Sequence, residues 1–465
     1  MNISAQKKWN TFYNDIPAQL QKVKQVKRVA TAFNTNIDAV VKISGAKITE
    51  LAKSFNMQEK DINAGITQIT NGKDVLRGII KCFINGIAEE WLCDSDNTFN
   101  WLKDNIGYNR LQMGGQGGIV ANAMAVLGIE NVYVHTASHP KLQSEQFLGL
   151  PNLQAVDDNG TLRPAYQIDR KNDPALVHWI IEFDVGDKLT LADKVFMCPK
   201  SNRFIASYDS ANIELKINND FLQKLHDTGF DYMILSGFHS LSSENNGEEK
   251  IKNIVPLIKK WKADNPQSVI HLEFASTQDK KIRKALMEYL APLADSIGFN
   301  EREALDLLEV IDINEFNTVK NQKLNARILF DILLKIKEKC QTPRAQLHFF
   351  GMYLTIQNKG YKITPEQNKR GMMLAATIAA SKAGTGSINS FDELLWAHGK
   401  GVSDVGLKEL YNLAQYLDRP QLYENGICDF SEYEVIAVPT ILIDKPLTLV
   451  GMGDTISSVS LIGAL

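Results

Sequence analysis

Cysteine is scarce in this sequence, five residues in 465, and no two of the five form a C-x-x-C pair. The odd number and wide spacing of Cys82, Cys93, Cys198, Cys340 and Cys428 argue against a disulfide framework or a zinc site and indicate a reducing compartment. Excess charge is missing too. Fifty-one basic residues stand against 54 acidic ones, a net charge of −3 without blocks of one sign, which offers no field for nucleic acid or an anionic membrane. No apolar run approaches a membrane span, and Met1 to Lys24 is polar and amphipathic, unlike a signal peptide. There are no repeats, low-complexity segments or linkers rich in Pro, Gly and Ser. These absences leave a cytoplasmic protein whose partners are small molecules, with no nucleic acid and no membrane among them.

What is there is a chain long enough for about two to three domains, or for one enlarged α/β domain with an insertion. A helix is expected over residues 4–27, where Trp9, Phe12, Ile16, Leu20 and Val23 share a face, followed by a strand over Arg28 to Phe33. Strand and helix patterns then alternate. Strands are expected at Asn131 to Thr136, Tyr232 to Gly237, Val269 to Phe274, Ser296 to Phe299, Leu347 to Ile356, Glu434 to Val438 and Leu447 to Val450, and helices at Ile251 to Trp261, 325–339 and 366–382. This alternation predicts a parallel sheet with helical layers. Residues 150–215 break the rhythm with short alternating runs such as Leu176 to Phe183, which reads as a β-rich insertion.

Polar and glycine-rich clusters fall where these elements change. Asn34-Thr35-Asn36-Ile37-Asp38 follows the first strand, and ligands of open α/β sheets bind beyond strand carboxyl ends, although an Asx turn is the plainer reading. Gly114-Gly115-Gln116-Gly117-Gly118 opens a helix and lets a ligand approach the backbone, yet it is neither a G-x-G-x-x-G fingerprint nor a P-loop. His271 and Glu273 share a strand face, with His271 readable as a core histidine. Asn300 and Glu303 lie one helical turn apart, as in a capping box. Near the end, Val450-Gly451-Met452-Gly453-Asp454 reads as a strand-like approach, a glycine turn and a helix start. Such a turn offers backbone N–H groups and a positive dipole end to an anion, with Asp454 as either an N-cap or a reactive carboxylate.

Taken together and in this order, N-T-N-I-D-A (Asn34 to Ala39), G-G-Q-G-G (Gly114 to Gly118), H-L-E (His271 to Glu273), N-x-x-E (Asn300 to Glu303) and G-x-G-D (Gly451 to Asp454) resemble the ADP-dependent sugar kinases, the glucokinase and phosphofructokinase group. The resemblance runs over nearly the whole chain. It implies an α/β fold with a ribokinase-like three-layer α/β/α large domain (residues 1–38, 110–150 and 212–465) and a smaller β-rich lid domain (39–109 and 151–211). It also implies a monomer or low-order oligomer that takes ADP as phosphoryl donor, a hexose as acceptor and Mg²⁺ or another divalent cation.

The same resemblance implies residue roles. Asp454 would be the general base, with the backbone of Gly451, Met452 and Gly453 stabilising the transferred phosphoryl group. Glu303, with Asn300, would hold the metal largely through water, Glu273 and His271 would support it, and Asp454 would lie beside it. Asn36, Asp38, Gly115 and Gln116 would contact the sugar, Arg203 would reach the nucleotide phosphate from the lid, and Val450 and His348 would border the nucleotide, His348 being equally readable as a core-edge histidine. Glu90 fits a glutamate of the family's glucokinases, with Glu89 as the alternative register, and His178 resembles a residue near their sugar. The phosphofructokinases, as aligned, place a lysine and an arginine where Leu176 and Asp209 stand here. Since a carboxylate would accept hydrogen bonds from hydroxyls and repel a sugar phosphate, the expectation is transfer to the 6-hydroxyl of glucose, with fructose 6-phosphate or both sugars as the alternative. A reading as an inactive sugar or nucleotide sensor would leave Asp454 and Glu303 without a purpose.

Overall fold

The structure is a computed structural model that describes residues 3–62, 68–93 and 95–465. Its N-terminal segment is two helices, α1 (Ile3–Tyr13) and α2 (Ile16–Val23), where one was expected. Pro17 explains the break: it lacks an N–H and clashes with a preceding turn, so it is accommodated only in the first turn of a new helix.

The chain then passes between two sheets. Strand β1 (Arg28–Ala32) enters the larger one, and β2 (Asn36–Lys42), β3 (Gln68–Ile69), β4 (Glu89–Cys93) and β5 (Arg110–Gly114) build the smaller. β6 (Asn131–Val134), β7 (Leu153–Val156) and β8 (Leu162–Pro164) return to the larger sheet. β9 (Val177–Phe183) and β12 (Asn202–Tyr208) complete the smaller, with the hairpin of β10 (Lys188–Leu191) and β11 (Lys194–Met197) beside it. β13 (Tyr232–Leu235), β14 (Val269–Glu273), β15 (Ser296–Asn300), β16 (Arg344–Phe349), β17 (Met352–Asn358), β18 (Ile427–Phe430) and β19 (Tyr433–Pro439) finish the larger sheet, whose order is β18-β19-β17-β16-β15-β14-β13-β1-β6-β7-β8. The smaller sheet runs β3-β4-β12-β9-β2-β5. Residues 110–114 thus pair in the smaller sheet and 153–164 in the larger, unlike the expected division, because β5 closes antiparallel on β2 and β7 extends the parallel run from β6.

The larger sheet is parallel from β7 to β16 and antiparallel at both ends. Two helical groups cover it, giving the expected three α/β/α layers. One holds α3 (Gln116–Val126), α7 (Pro365–Thr385) and α8 (Met452–Ile462), and the other holds α4 (Gly247–Asp264), α5 (Glu301–Ile311) and α6 (Ala326–Cys340). Each sheet has its own apolar core: Trp9, Phe299 and Leu354 belong to the larger, Trp179, Phe183 and Phe204 to the smaller. Among the described residues, no helix is long and apolar enough to cross a membrane.

Two expected strands differ. Residues 347–356 contain the turn of a hairpin, β16 to β17, reversed at Gly351 (φ 90°). Leu447 to Val450 is not a strand at all. Pro439 ends β19, Pro446 cannot donate to a ladder, and the segment is tied instead to the end of α7 by the Leu447 N–H to Ala383 carbonyl bond, leaving Leu447 and Leu449 exposed.

The packing of α7 on α8 sets the position of the closing glycine turn. The helices approach so closely that a Cβ on Gly371 would stand 2.1 Å from the Ser460 carbonyl oxygen. Gly371→Ala is therefore expected to cost about 1–3 kcal/mol by forcing the two helices apart, measurable by urea denaturation. An unchanged midpoint would show that the pair slides freely.

Candidate active site

The chain crosses from β1 to β2 through Phe33, Asn34 and Thr35 and comes back from β5 to α3 through Gly115. The two crossings touch. A Cβ on Gly114 would lie 2.2 Å from Asp38 Oδ1, and one on Gly115 (φ 72°) would lie 2.5 Å from the Asn34 carbonyl oxygen, so glycine is needed at both positions. This contact sets Asn34, Asn36 and Gln116 around one point between the sheets.

Gln116 connects the parts. Its Nε2 donates to Asp454 Oδ1 at 2.7 Å, and its Oε1 accepts from the Gly237 backbone N–H at 2.9 Å, beyond the carboxyl end of β13. Asp454 lies in the first turn of α8, but the N-cap position belongs to Gly451 (φ 60°), and the carboxylate bonds across to α3. That geometry removes the N-cap reading. The first N–H groups of α8 have no carbonyl partner within the helix and present its positive dipole end beside the carboxylate. Burial raises the Asp454 carboxyl above its ordinary range, while the Gln116 bond and the charges of Lys382 and His239 oppose the rise.

One face of the smaller sheet looks onto this point. Gln112, Asp38, His178 and Ser207 form a rung across β5, β2, β9 and β12, and Glu90 joins it from β4 opposite Ile205. Strand alternation separates the two glutamates. Glu90 accepts from Ser207 Oγ at 2.5 Å and lies 3.9 Å from His178 Nδ1, whereas Glu89 is held behind by Lys81 at 2.8 Å and Trp91 Nε1 at 2.9 Å. The register with Glu90 toward the site is the one adopted. His178 Nε2 meets Asp209 Oδ2 at 2.8 Å. Burial works against a charged imidazole there, yet Asp209, Glu90 and Asp38 outweigh it and lift His178 to about 9. Burial lifts Asp38 to about 6. Glu90 is held below its usual range: the surrounding protein opposes its charge, but His178 and His239 more than compensate. Asn34 Oδ1, Asn36 Oδ1 and His239 Nδ1 are buried atoms without a protein hydrogen-bond partner, so three polar atoms stand ready at the same place.

A model of the ADP-specific phosphofructokinase/glucokinase conserved region matches residues 27–463. The chain belongs to this family. It is 27% identical to the ADP-specific phosphofructokinase of Methanosarcina acetivorans, covering 93% of this chain and 92% of that one. It is 30% identical to the ADP-dependent glucose/glucosamine kinase of Pyrococcus abyssi, covering 97% of each. A solved ADP-dependent kinase in complex with fructose 6-phosphate and ADPβS superposes with a TM-score of 0.80 at 29% identity, covering 100% of this chain and 98% of that one. The coarse activity follows with the ADP-specific phosphofructokinase/glucokinase family: phosphoryl transfer from ADP to a sugar.

The remaining residues divide around the glycine turn. Asn300 and Glu303 form a reciprocal capping box at the start of α5, with the Asn300 N–H donating to Glu303 Oε2 at 2.9 Å. Burial first, and then the nearby Asp454 and Asp306, push Glu303 up to about 8. Glu273 has both oxygens engaged, by His271 Nε2 at 2.9 Å and Ser457 Oγ at 3.0 Å, and is raised well above its ordinary value by burial, with Asp454 and Glu303 adding. His271 is a buried histidine satisfied by Glu273 and Ser296. Among the described residues, no three His, Cys, Asp or Glu side chains converge as direct metal ligands. His348 is buried behind the turn, 3.4 Å from Ser457 Oγ and close beneath Gly453, and burial lowers it to about 4. Arg203 is exposed on the same face of β12 as Ser207, and Val450 borders a cavity of about 300 Å³.

Two residues were missed in the sequence reading, and a third, Asp209, was named there without its contact. Asp209 holds His178. His239, bonded to Asn34 Nδ2 at 3.3 Å, stands between the Asp454 and Glu90 charges; its only signal was a polar side chain just past a strand end. Lys382 donates to the Gly451 carbonyl at 3.1 Å and Thr455 Oγ1 at 3.2 Å, and it is the only charged residue between Arg370 and Asp392, which was legible.

The His178 charge links stability to pH. A folded value near 9 against an ordinary 6.5 means that its contribution is complete below about 6.5 and is lost as pH rises through about 9. The Tm difference between the unmodified protein and His178→Asn should therefore narrow over that interval, as followed by calorimetry at several pH values.

Proposed function

We propose that this protein is an ADP-dependent glucokinase, transferring the β-phosphoryl group of ADP to the 6-hydroxyl of glucose and releasing AMP. The observation that carries the reading is the pairing of Asp454, aimed by Gln116 at the glycine turn, with a sheet face that presents Glu90 to the same cleft. Asp454 takes the proton of the hydroxyl as the oxygen bonds to the β-phosphorus and the bond to the AMP oxygen breaks. Backbone N–H groups of Gly451, Met452 and Gly453 face the charge that develops on the phosphoryl oxygens. Asn36, Asp38, Glu90, Gln116 and His178 orient the sugar, with Gly115 giving it backbone access. The smaller sheet acts as a lid that excludes water, bringing Arg203 toward the nucleotide, while Val450 borders the nucleotide and His348 supports the turn from behind.

The carboxylates fit a divalent cation. Burial, and after it the charge of Asp454, raise both Glu303 and Glu273, and a cation would relieve that repulsion. Glu303, placed by Asn300, would hold it with Asp454 nearby and Glu273 behind. When bound, it neutralises charge on the phosphates.

A second reading, phosphorylation of fructose 6-phosphate, is favoured by the fructose 6-phosphate complex of the similar ADP-dependent kinase and by Arg203 on the acceptor face. Against it stands the carboxylate group of Glu90, Asp38 and Asp209, which disfavours a sugar phosphate. AMP release should be measured with ADP or ATP against glucose or fructose 6-phosphate in the presence of Mg²⁺. Glucose with ADP is expected to give the highest kcat/KM; a higher value for fructose 6-phosphate would reverse the assignment. Asp454→Ala is expected to keep sugar binding and lose turnover by about 10² to 10⁴-fold, and unchanged turnover would remove the base role.

A further inference from the structure

Lys382 lies near the end of α7, half-buried, and none of its hydrogen-bond partners is acidic. Its Nζ donates to the Gly451 carbonyl and to Thr455 Oγ1, and the Thr455 hydroxyl itself donates to the same carbonyl at 2.7 Å. Among the described residues it has no ion pair. Two neutral oxygens need only a neutral donor, so a serine or glutamine would serve at less desolvation cost. Burial lowers Lys382 to about 8, partly offset by Asp454, which shows that the position opposes the charge it holds.

The geometry gives that charge a use. In a trans peptide the C=O and the following N–H point in opposite directions. The Gly451 carbonyl also accepts the Thr455 N–H at 3.3 Å as the first bond of α8, so it points into the helix and the Met452 N–H points out beyond the N-terminal end. Position 451 has φ 60°, and a Cβ there would stand 2.8 Å from Ile119 Cγ2 and 3.3 Å from Nζ, so glycine suits the approach.

We propose that Lys382 is the resident cation of the glycine turn, a positioning residue that fixes the Gly451–Met452 peptide and offsets the negative charge arriving with the phosphoryl group. The proposal rests on the kinase reading above. It concerns kcat rather than acceptor affinity, since Lys382 touches the turn and not the sugar face. Lys382 also lines the cavity of about 300 Å³, together with Ile119, Ile378, Val450, Thr455 and Val459. That space gives small amines a route to its place when the side chain is shortened.

The test uses Lys382→Gln, which keeps a hydrogen-bond donor without charge, and Lys382→Ala, which empties the position. Both are assayed for kcat, KM and Tm beside the unmodified protein. Lys382→Gln is expected to keep Tm and sugar KM close to the original values and to lose kcat by about 10-fold or more, the scale of a disturbed oxyanion donor. Lys382→Ala is expected to regain activity saturably with ammonium or methylammonium, while the unmodified protein and Asp454→Ala do not respond. Full kcat in Lys382→Gln, or a lost kcat in Lys382→Ala that no amine restores, would overturn the proposal. If Lys382→Ala does not fold, Lys382→Gln alone decides: retained kcat refutes the charge and reduced kcat with intact sugar KM supports it. Failure of the kinase reading shows separately, as an unmodified protein that releases no AMP with either sugar.

Discussion

The Gln116 side chain is the contact on which the site depends. An amide has one donor end and one acceptor end, and here each is assigned: the donor to Asp454 and the acceptor to the Gly237 backbone. The orientation of the Asp454 carboxylate is therefore set by the larger sheet, through β13, and not by its own helix alone. Gln116 in turn sits at the start of α3, directly after the glycines that let the two chain crossings touch. Asn36 and Asp38 on β2 and Asp454 on α8 are thus referenced to the same few backbone atoms.

Around that contact the charges fall into two groups. Behind the glycine turn, Glu273, Glu303 and Asp454 are all raised by burial, the two glutamates further by Asp454, and neutral His271 and His348 pack among them. On the cleft face of the smaller sheet, His178 remains a cation among Asp209, Glu90 and Asp38. The first group has Lys382 beside Asp454, and the second contains His178.

Much of this was legible in the sequence because periodicity and turn chemistry are local. The β1, β6, β13, β14 and β15 strands stand within a residue or two of their expected places, since apolar runs bounded by turn residues permit little else. Asp454 could not be told from an N-cap locally, because its partner, Gln116, is 338 residues away in the chain. The capping box at Asn300 and Glu303 was legible and present, which leaves any metal role to chemistry beyond the cap. The 440–450 segment misled because its apolar residues suggest a strand, whereas Pro439 and Pro446 deny it a ladder. Lys382 was passed over even though a lone charge in the run of small and apolar residues after Arg370 is a strong signal.

The alternation at Glu89 and Glu90 has a consequence for how this protein can change over evolutionary time. One carboxylate looks into the cleft and its neighbour is tied to Lys81 and Trp91, with Trp91 seated in the core of the smaller sheet. Point substitutions at Glu90 alter the cleft-facing surface gradually. An insertion or deletion of a single residue in the turn at 86–88 would instead exchange the faces of both glutamates at once while driving Trp91 toward solvent. The cleft-facing surface is thus open to drift by replacement and closed to drift by length, and lineages that differ in loop length here should differ in the anchoring aromatic as well.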